Sequence, residues 1–355
     1  MAHRRPSRRP HLLIGAAARG ESLSIVRLAE RLDAPVATTP HARGLFPDSH
    51  PLALGVFGVG AHPSAIRALT QTADCVLALG TDLGELASGG FNPKLGKEGP
   101  LIQVHPDTDA LARGYAVEWA VRAPVGPVVR DLVQQLAQRR PSNVATRLER
   151  LPLAAGGGSG IHPAEAVQRI QDLLPVDTIF AVDSGEHTFF AMQYLHLDLP
   201  DSWYALLGLG SMGAGVCGAL GLALAAPART VACLCGDGGL LMHLGELSTA
   251  AQVGLPIRWF VFNDRRLGMV VHGQEGLFGR SHAFDHGDVD LASAATSLGV
   301  TAIELSTLDE LAAHADLIAD PGGPLVVVLN VDPTLSMPKG GRLASLGEGL
   351  SEVPS

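Results

Sequence analysis

The sequence predicts an α/β protein with two doubly wound parallel-sheet domains. Short apolar runs alternate with segments of helical periodicity through most of the chain, and a stretch rich in glycine and serine separates two such series. Strands that alternate with helices form parallel sheets, because each helix carries the chain back across one face of the sheet. With 355 residues, the chain is long enough for two domains that each bury a core.

The first series, residues 1–138, predicts one domain. Its apolar runs predict four strands: HLLIG (11–15), PVATT (35–39), CVLALG (75–80) and LIQVH (101–105). Its helical patterns lie around three segments: 22–32, 63–71 and 125–138. Charge then gives way to glycine and serine at 139–160, which is the composition of a linker.

The second series, residues 161–338, repeats the alternation. It begins with a helical pattern at 162–174 and predicts four strands: TIFAVD (178–183), TVACLC (230–235), IRWFVF (257–262) and LVVVLN (325–330). The last three are apolar on both faces, as strands buried in a parallel sheet are. Residues 339–355 are rich in glycine, serine and glutamate and predict a flexible tail.

Composition argues against two classes of partner. The net charge of -9 argues against a nucleic-acid surface, which needs clustered lysine and arginine. Residues 205–228 carry no charge, but the glycines among them favour a buried helix over a membrane span.

The four cysteines lack metal-ligand spacing, which indicates a reducing, cytoplasmic location. Cys233 and Cys235 alternate on one predicted strand and should pack on the same face.

A carboxylate and an amide end two strands of the second series. Asp237 follows the strand at 230–235, Asn263 follows the strand at 257–262, and a helical pattern at 240–253 connects them. Such a crossover places both residues at the carboxyl edge, where open α/β sheets bind ligands. Together with a carbonyl such as that of Arg265, their oxygens would offer a small divalent cation three hard donors. The glycines at 236, 238 and 239 would let backbone N–H groups approach a phosphate.

The sequence resembles a known family at these residues. GDG (236–238), twenty-four further residues and then Asn263 resemble the cofactor motif of thiamine diphosphate (ThDP) enzymes. Residues 236–270, GLGSMGAG (208–215) and DSGEHTFF (183–190) are similar to segments of acetolactate synthases and their relatives, and residues 35–65 resemble the family's middle domain. The resemblance covers about residues 11–335. It implies a Rossmann-like middle domain followed by a diphosphate-binding domain.

The resemblance also implies roles for individual residues. Mg²⁺ would be bound by the side chains of Asp237 and Asn263 and by the Arg265 carbonyl. The diphosphate would be bound by His187, Gly238 and Gly239. The Gly210 carbonyl would accept a hydrogen bond from the cofactor's 4′-amino group, and Met212 would impose the bent cofactor shape. The remaining cofactor-binding positions are Gly185, Glu186, Ser211, Leu267, Gly268 and Met269.

Two departures from the family pattern bear on the substrate. Glu186 replaces a glutamine, and an ionised carboxylate there would repel the diphosphate unless it is rotated away or protonated. Gly273 stands where acetolactate synthases carry a tryptophan, so the flat aromatic wall of that pocket is absent, which argues against acetolactate formation itself. His272 and Gln274 flank that position and are candidates for the substrate pocket, with surface or packing roles equally compatible with the sequence.

The resemblance begins at the middle domain, whereas family members normally start with a pyrimidine-binding domain that supplies a glutamate for cofactor activation. We therefore expect a split enzyme, in which this chain is the carboxyl-terminal subunit and forms a homodimer core within a hetero-oligomer. The partner would supply the pyrimidine domain and its glutamate. The expected activity is that of a lyase or transferase that decarboxylates a 2-oxoacid, carboligates it, or does both.

Other readings compete with this hypothesis. The chain could be a ThDP-binding or regulatory module without catalysis, or a truncated form of a longer enzyme. A dinucleotide-dependent dehydrogenase ranks last, because no strand is followed by a G-x-G-x-x-G turn with a suitably spaced acidic residue. FAD, which some relatives bind in the middle domain, is not predicted.

Overall fold

The computed structural model describes residues 7, 9–139, 147–282 and 284–337, which form two compact units. One unit comprises Met1–Leu151 with His196–Asp201, and the other comprises Pro152–Leu195 with Ser202–Pro338, as far as the described residues reach. The described residues of the predicted linker divide between the two units at Leu151. The predicted tail at 339–355 lies outside the described residues.

The first unit contains a six-stranded sheet in the order β3-β2-β1-β4-β5-β6. Its strands are β1 (Pro10–Ile14), β2 (Val36–Thr38), β3 (Ala53–Val56), β4 (Cys75–Leu79), β5 (Leu101–His105) and β6 (Trp119–Arg122). Its α-helices are α1 (Ser22–Leu32), α2 (Pro63–Arg67), α3 (Glu85–Ser88) and α4 (Val125–Gln135). All neighbouring strands pair in parallel, which confirms the predicted fold class.

Both faces of this sheet are covered by apolar clusters. Successive side chains of a strand point to opposite sides, so one strand contributes to both clusters. Leu12 and Ile14 of β1 pack in one apolar cluster with Ile25 and Leu28 of α1. Leu13, which lies between them on the strand, packs in a second cluster. A strand buried on both sides needs an uninterrupted apolar run, which is the pattern seen in the sequence.

The second unit contains a six-stranded parallel sheet in the order β11-β12-β10-β9-β7-β8. Its strands are β7 (Ile179–Val182), β8 (Trp203–Ala205), β9 (Val231–Gly236), β10 (Ile257–Asn263), β11 (Thr301–Leu305) and β12 (Leu325–Asn330). Its first helices are α5 (Pro163–Leu173), α6 (Glu186–Tyr194), α7 (Ala214–Ala225), α8 (Asp237–Met242) and α9 (Gly245–Val253). The remaining helices are α10 (Gly268–Phe278), α11 (Leu291–Ser297), α12 (Leu308–Ala313) and α13 (Ala315–Ala319).

The single helix predicted at 240–253 is two helices in the structure. α8 begins at Asp237, immediately after β9, and two residues separate it from α9. The predicted apolar stripe is nevertheless present on one core cluster, which contains or contacts Leu240, Leu244, Leu247 and Ala251. The earlier start matters for the site, because it makes Asp237 the first residue of a short helix at the edge of the sheet.

The uncharged stretch at 205–228 contains α7, whose buried residues pack on the core of the second unit. Among the residues that the structure describes, no helix is long and apolar enough to cross a membrane. Cys233 and Cys235 are both buried in the same cluster, as their alternation on one strand predicts.

Candidate cofactor and metal site

Strands β7, β9, β10 and β12 are neighbours in the second sheet, and their carboxyl ends border a cavity of about 660 Å³ that is open to solvent. The strand ends and the turns after them supply most of its lining: residues 184–187, 236–239, 262, 264, 266–270, 331 and 332. Pro163, Phe190, Met212 and Leu335 complete it.

Asp237 lies at the centre of this edge and is buried. Its Oδ1 accepts a hydrogen bond from Gly238 N at 2.7 Å, and its Oδ2 accepts one from Arg265 N at 2.6 Å. His286 Nε2 lies 3.4 Å from the same Oδ2. Burial raises the pKa of Asp237, whereas these donors and His286 act to lower it. A bound cation would favour the ionised carboxylate further.

Asn263 emerges beside Asp237, because the register of β9 and β10 pairs Gly236 with Phe262, the residues just before them. Asn263 Nδ2 donates to Asn330 Oδ1 at 2.8 Å. Among the described residues, no donor is hydrogen-bonded to the Asn263 amide oxygen. Because an oxygen without a protein donor is suited to a hard cation, Asn263 fits the metal role that the resemblance implies.

Arg265 contributes its backbone on the other side of Asp237. Its φ of 60° is left-handed, and its carbonyl accepts a long hydrogen bond of 3.4 Å from His286 N. Asp237, Asn263 and Arg265 thus lie at adjacent strand ends. No cluster of three or more histidine, cysteine or acidic side chains suited to a metal occurs in the described part of the chain. A cation here would therefore depend on amide and carbonyl oxygens as well as the carboxylate.

Asp183, which the sequence analysis does not assign, holds the loop that precedes α7. Its Oδ2 accepts from Gly213 N at 2.8 Å, and its Oδ1 accepts from Gly215 N at 2.9 Å. This anchoring places Met212 in the cavity wall. The neighbouring loop residues Gly210 and Ser211 are exposed and do not line the cavity in this structure. An aspartate directly after an apolar strand was the available sequence signal.

Gly238 and Gly239 lie where side chains would obstruct the site. A Cβ on Gly238 would lie 2.8 Å from Leu267 Cδ2 and 2.9 Å from Met212 Cε, both in the cavity wall. A Cβ on Gly239 would overlap with Oδ2 of Asp183. The two glycines therefore allow the backbone after Asp237 to approach the cavity closely.

His187 lies on α6 and is buried, with its ring stacked on that of Phe262 at a centroid distance of 5.8 Å. Its Nε2 lies 3.1 Å from the Asp183 carbonyl oxygen, and since a carbonyl only accepts, this nitrogen carries the proton. Burial lowers the pKa of His187 more than Asp183 and Glu186 raise it. In this arrangement, a hydrogen bond from His187 to a phosphate would require a second proton on Nδ1.

Glu186 is turned toward the segment 331–337. Its Oε1 accepts from Met337 N at 2.8 Å and from Ser336 Oγ at 2.9 Å, and its Oε2 lies 3.7 Å from His272 Nδ1. Of the two possibilities that the sequence left open for this carboxylate, the geometry corresponds to rotation toward other donors. His272 Nε2 in turn lies 3.1 Å from the Pro333 carbonyl oxygen.

The residues after Asn263 divide between the cavity and its surroundings. Leu267, Gly268 and Met269 line the cavity, whereas His272 and Gln274 do not. Gln274 Oε1 accepts from His282 N at 3.2 Å and so contacts the loop after α10.

Asp264 and Arg266 also line the cavity, although the family resemblance implies no role for them. Burial, followed by the charge of Asp237, raises the pKa of Asp264 to about 7, and Arg266 partly offsets both effects. Arg266 Nη2 donates to the Pro333 carbonyl oxygen. No local pattern marks these residues, because their environment is created by the folded sheet edge.

Family comparisons cover both units. The thiamine pyrophosphate enzyme central domain matches residues 5–132, and the thiamine pyrophosphate enzyme C-terminal TPP binding domain matches residues 183–329. Thiamine pyrophosphate (TPP) is another name for ThDP. The second match includes Asp183, Asp237 and Asn263.

Individual relatives agree with these matches. The “Putative acetolactate synthase large subunit IlvB2” of Mycobacterium tuberculosis is 30% identical over 344 residues, which cover 94% of this chain and 62% of that protein. The acetolactate synthase large subunit of Parasynechococcus marenigrum is 29% identical over 339 residues, covering 92% of this chain and 54% of that protein. The chain therefore spans between half and two thirds of the length of these relatives.

Solved structures show the same architecture. A ThDP-dependent 4-hydroxybenzoylformate decarboxylase from Rhodococcus jostii RHA1 aligns with a TM-score of 0.79 and 25% identity, covering 92% of this chain and 62% of that one. The benzoylformate decarboxylase of Polynucleobacter necessarius aligns with a TM-score of 0.80 at 20% identity, over 93% of this chain and 63% of that one, and so shares the fold. With two family domains matched in order and the predicted motif residues at one sheet edge, this chain belongs to the thiamine pyrophosphate enzyme family.

Proposed function

We propose that this chain provides the diphosphate- and Mg²⁺-binding part of a ThDP-dependent enzyme that acts on a 2-oxoacid by decarboxylation, carboligation or both. The observation that carries the proposal is the adjacency of Asp237 and Asn263 at the strand ends that border the cavity. Asn330 holds the Asn263 NH₂ group, and no donor among the described residues is hydrogen-bonded to the Asn263 amide oxygen. The similarity to proteins named acetolactate synthase and 4-hydroxybenzoylformate decarboxylase supports the reaction class.

The residues present fit a Mg²⁺ ion and a diphosphate. The Asp237 carboxylate, the Asn263 amide oxygen and the Arg265 carbonyl would hold the ion, because Mg²⁺ prefers hard oxygen ligands. The backbone at Gly238 and Gly239 would approach the diphosphate, since neither residue carries a side chain into the site. When bound, ThDP would supply the nucleophilic carbon and the electron sink that decarboxylation of a 2-oxoacid requires.

The remaining residues would position the cofactor and exclude water. Met212 and Leu267 form the apolar wall next to Gly238, and Met212 would impose the bent cofactor shape. The Gly210 carbonyl would accept a hydrogen bond from the 4′-amino group, which requires the exposed loop at 208–211 to be covered in the complex. His272 would be held next to the site through Pro333 and Glu186.

We further propose that a pyrimidine-binding domain on a partner chain supplies the activating glutamate to a homodimeric core. Four carboxylates line the cavity within the described residues: Glu186, Asp237, Asp264 and Asp332. Each of them accepts at least one hydrogen bond from the protein. Asp332, for example, accepts from Gly158 N at 2.8 Å and from Thr334 N at 2.9 Å. This engagement supports an external source for the glutamate.

The test combines binding and turnover. Calorimetric titration of ThDP in the presence of Mg²⁺ measures the cofactor site, and decarboxylation of a panel of 2-oxoacids is then followed with this chain alone and after addition of a pyrimidine-domain chain. Binding with turnover only in the mixture is the expected result. Turnover by this chain alone would contradict the partner, and binding without turnover in either case would favour a non-catalytic ThDP-binding module. Absence of binding would contradict the proposed function.

A further inference from the structure

A chain of hydrogen bonds leads from the metal site to the edge of the second sheet. Asn263 Nδ2 donates to Asn330 Oδ1 at 2.8 Å, and Asn330 Nδ2 donates to Glu304 Oε1 at 2.8 Å. The three residues lie on β10, β12 and β11, which are successive strands of the sheet. Asn263 and Asn330 are also register partners, so their side chains meet at the same level of the carboxyl edge.

Glu304, the outermost residue, fixes the donor and the acceptor of each hydrogen bond in this series. The Glu304 carboxylate can only accept, so Asn330 must turn its NH₂ group toward Glu304. Ser306 Oγ also accepts from that NH₂ group, at 3.1 Å. The Asn330 carbonyl oxygen then faces Asn263, which must donate its own NH₂ group. The Asn263 oxygen is therefore the atom left for a ligand.

We propose that Glu304 and Asn330 are positioning residues for Mg²⁺, which hold the Asn263 amide with its oxygen toward the ion. The inference rests on the proposed function and deepens it. The two ends of an amide have nearly the same shape, so sterics alone do not select the oxygen, and a reversed amide would direct N–H groups at the cation. Water cannot replace Glu304 in this role, because water donates as readily as it accepts.

Three variants separate this role from a merely structural one. Asn330→Leu removes the acceptor for the Asn263 NH₂ group at similar volume. The side chain introduced by Glu304→Lys can only donate, so the Asn330 oxygen would turn toward it. The hydrogen bond between Asn330 and Asn263 would then reverse its direction as well. Partners that orient metal ligands typically contribute about 10- to 100-fold to metal affinity. We expect Asn330→Leu to raise the Mg²⁺ dissociation constant by an amount in that range and Glu304→Lys to raise it less, since Glu304 is exposed.

Glu304→Gln is the matched control, because the glutamine oxygen can still accept from Asn330 while the charge is lost. It should bind Mg²⁺ like the parent protein. The measurement is calorimetric titration of Mg²⁺ at saturating ThDP, which does not depend on catalysis. The thermal unfolding midpoint of each ligand-free variant reports on folding. If Asn330→Leu does not fold, the exposed pair Glu304→Lys and Glu304→Gln carries the test.

The outcomes distinguish failure of the positioning role from failure of the proposed function. If the parent protein binds no Mg²⁺ with ThDP, the proposed function itself fails. If the parent binds and the folded Asn330→Leu and Glu304→Lys variants bind equally well, the positioning role is overturned and the proposed function stands. If Glu304→Gln weakens binding as much as Glu304→Lys, the effect is one of charge and amide orientation is not its cause.

Discussion

The backbone N–H of Arg265 donates a 2.6 Å hydrogen bond to Oδ2 of Asp237 and so links the ends of β10 and β9. Arg265 adopts a φ of 60°, a left-handed conformation that is uncommon for residues with a side chain. The hydrogen bond to a buried carboxylate helps to stabilise this conformation. Two predicted metal ligands that are 28 residues apart in sequence are thus held together by the protein itself.

Asp237→Asn is expected to weaken Mg²⁺-dependent ThDP binding by about 10- to 100-fold, the equivalent of one charge-assisted interaction of about 1.5–3 kcal/mol. The substitution removes the charge, and an asparagine can present an oxygen to only one of the two backbone donors that Asp237 now satisfies. Calorimetric titration measures the change. Asp172→Asn on the exposed side of α5 makes the same charge change away from the cavity and should bind like the parent. Equal affinities for the two variants would count against the metal role of Asp237.

Gly239→Ala is expected to lower the free energy of unfolding by about 1–3 kcal/mol, the usual cost of overpacking. The added Cβ would overlap with Oδ2 of Asp183, which cannot move aside freely because its carboxylate accepts from Gly213 N and Gly215 N. Gly245→Ala in α9 is the matched control, since a Cβ there meets nothing within 4 Å. The control should be neutral or stabilising by up to about 1 kcal/mol. Urea unfolding compares them, and similar stabilities would show that Asp183 can relax.

Glu186→Ala is expected to loosen the segment 331–337, because it removes the acceptor of Ser336 Oγ and Met337 N. The Glu186 side chain is only 11% exposed and Met337 is buried, so the hydrogen bond from Met337 N is largely shielded from water. We expect the Met337 amide to exchange with solvent at least about 10-fold faster, by hydrogen-exchange mass spectrometry. Glu186→Gln keeps an accepting oxygen and should retain most of the protection. Unchanged exchange in Glu186→Ala would mean that other contacts hold the segment.

The inner strands of both sheets are predictable from sequence, and the edge strands are not. β1, β2, β4, β5, β7, β9, β10 and β12 all coincide with apolar runs that packing on two faces demands. The four strands that these runs do not predict, β3, β6, β8 and β11, are the four edge strands. β6 is exposed at all four positions, so burial does not account for its strand conformation, which depends on hydrogen bonds to β5.

The candidate site shows a similar division. Asp237 and Asn263 are predictable, because a polar residue that ends a buried apolar strand is chemically conspicuous. The hydrogen bonds of Asp183, Asn330 and Glu304 described above join residues that are 30, 67 and 26 positions apart, respectively. No local spacing encodes such contacts, since the order of strands in the sheet creates them.

Burial of His187 should make the stability of the ligand-free protein depend on pH. Burial lowers its pKa below the ordinary value of 6.5, so near and below that pH the unfolded chain binds a proton that the folded protein does not. The free energy of unfolding should therefore decrease as pH falls below about 6.5. A single group changes it by at most about 1.4 kcal/mol per pH unit.

His187→Gln is expected to flatten this dependence, because glutamine does not titrate while its amide can still donate to the Asp183 carbonyl. Urea unfolding of the ligand-free protein at three pH values, one above, one near and one below 6.5, measures the slope for each variant. His282→Gln, at an exposed position, is the control and should keep the slope of the parent protein. Other groups that titrate in this range contribute equally to both variants, so the difference between the two slopes isolates His187. Identical slopes would show that the folded protein takes up the proton at His187 as readily as the unfolded chain, which its burial against Phe262 argues against.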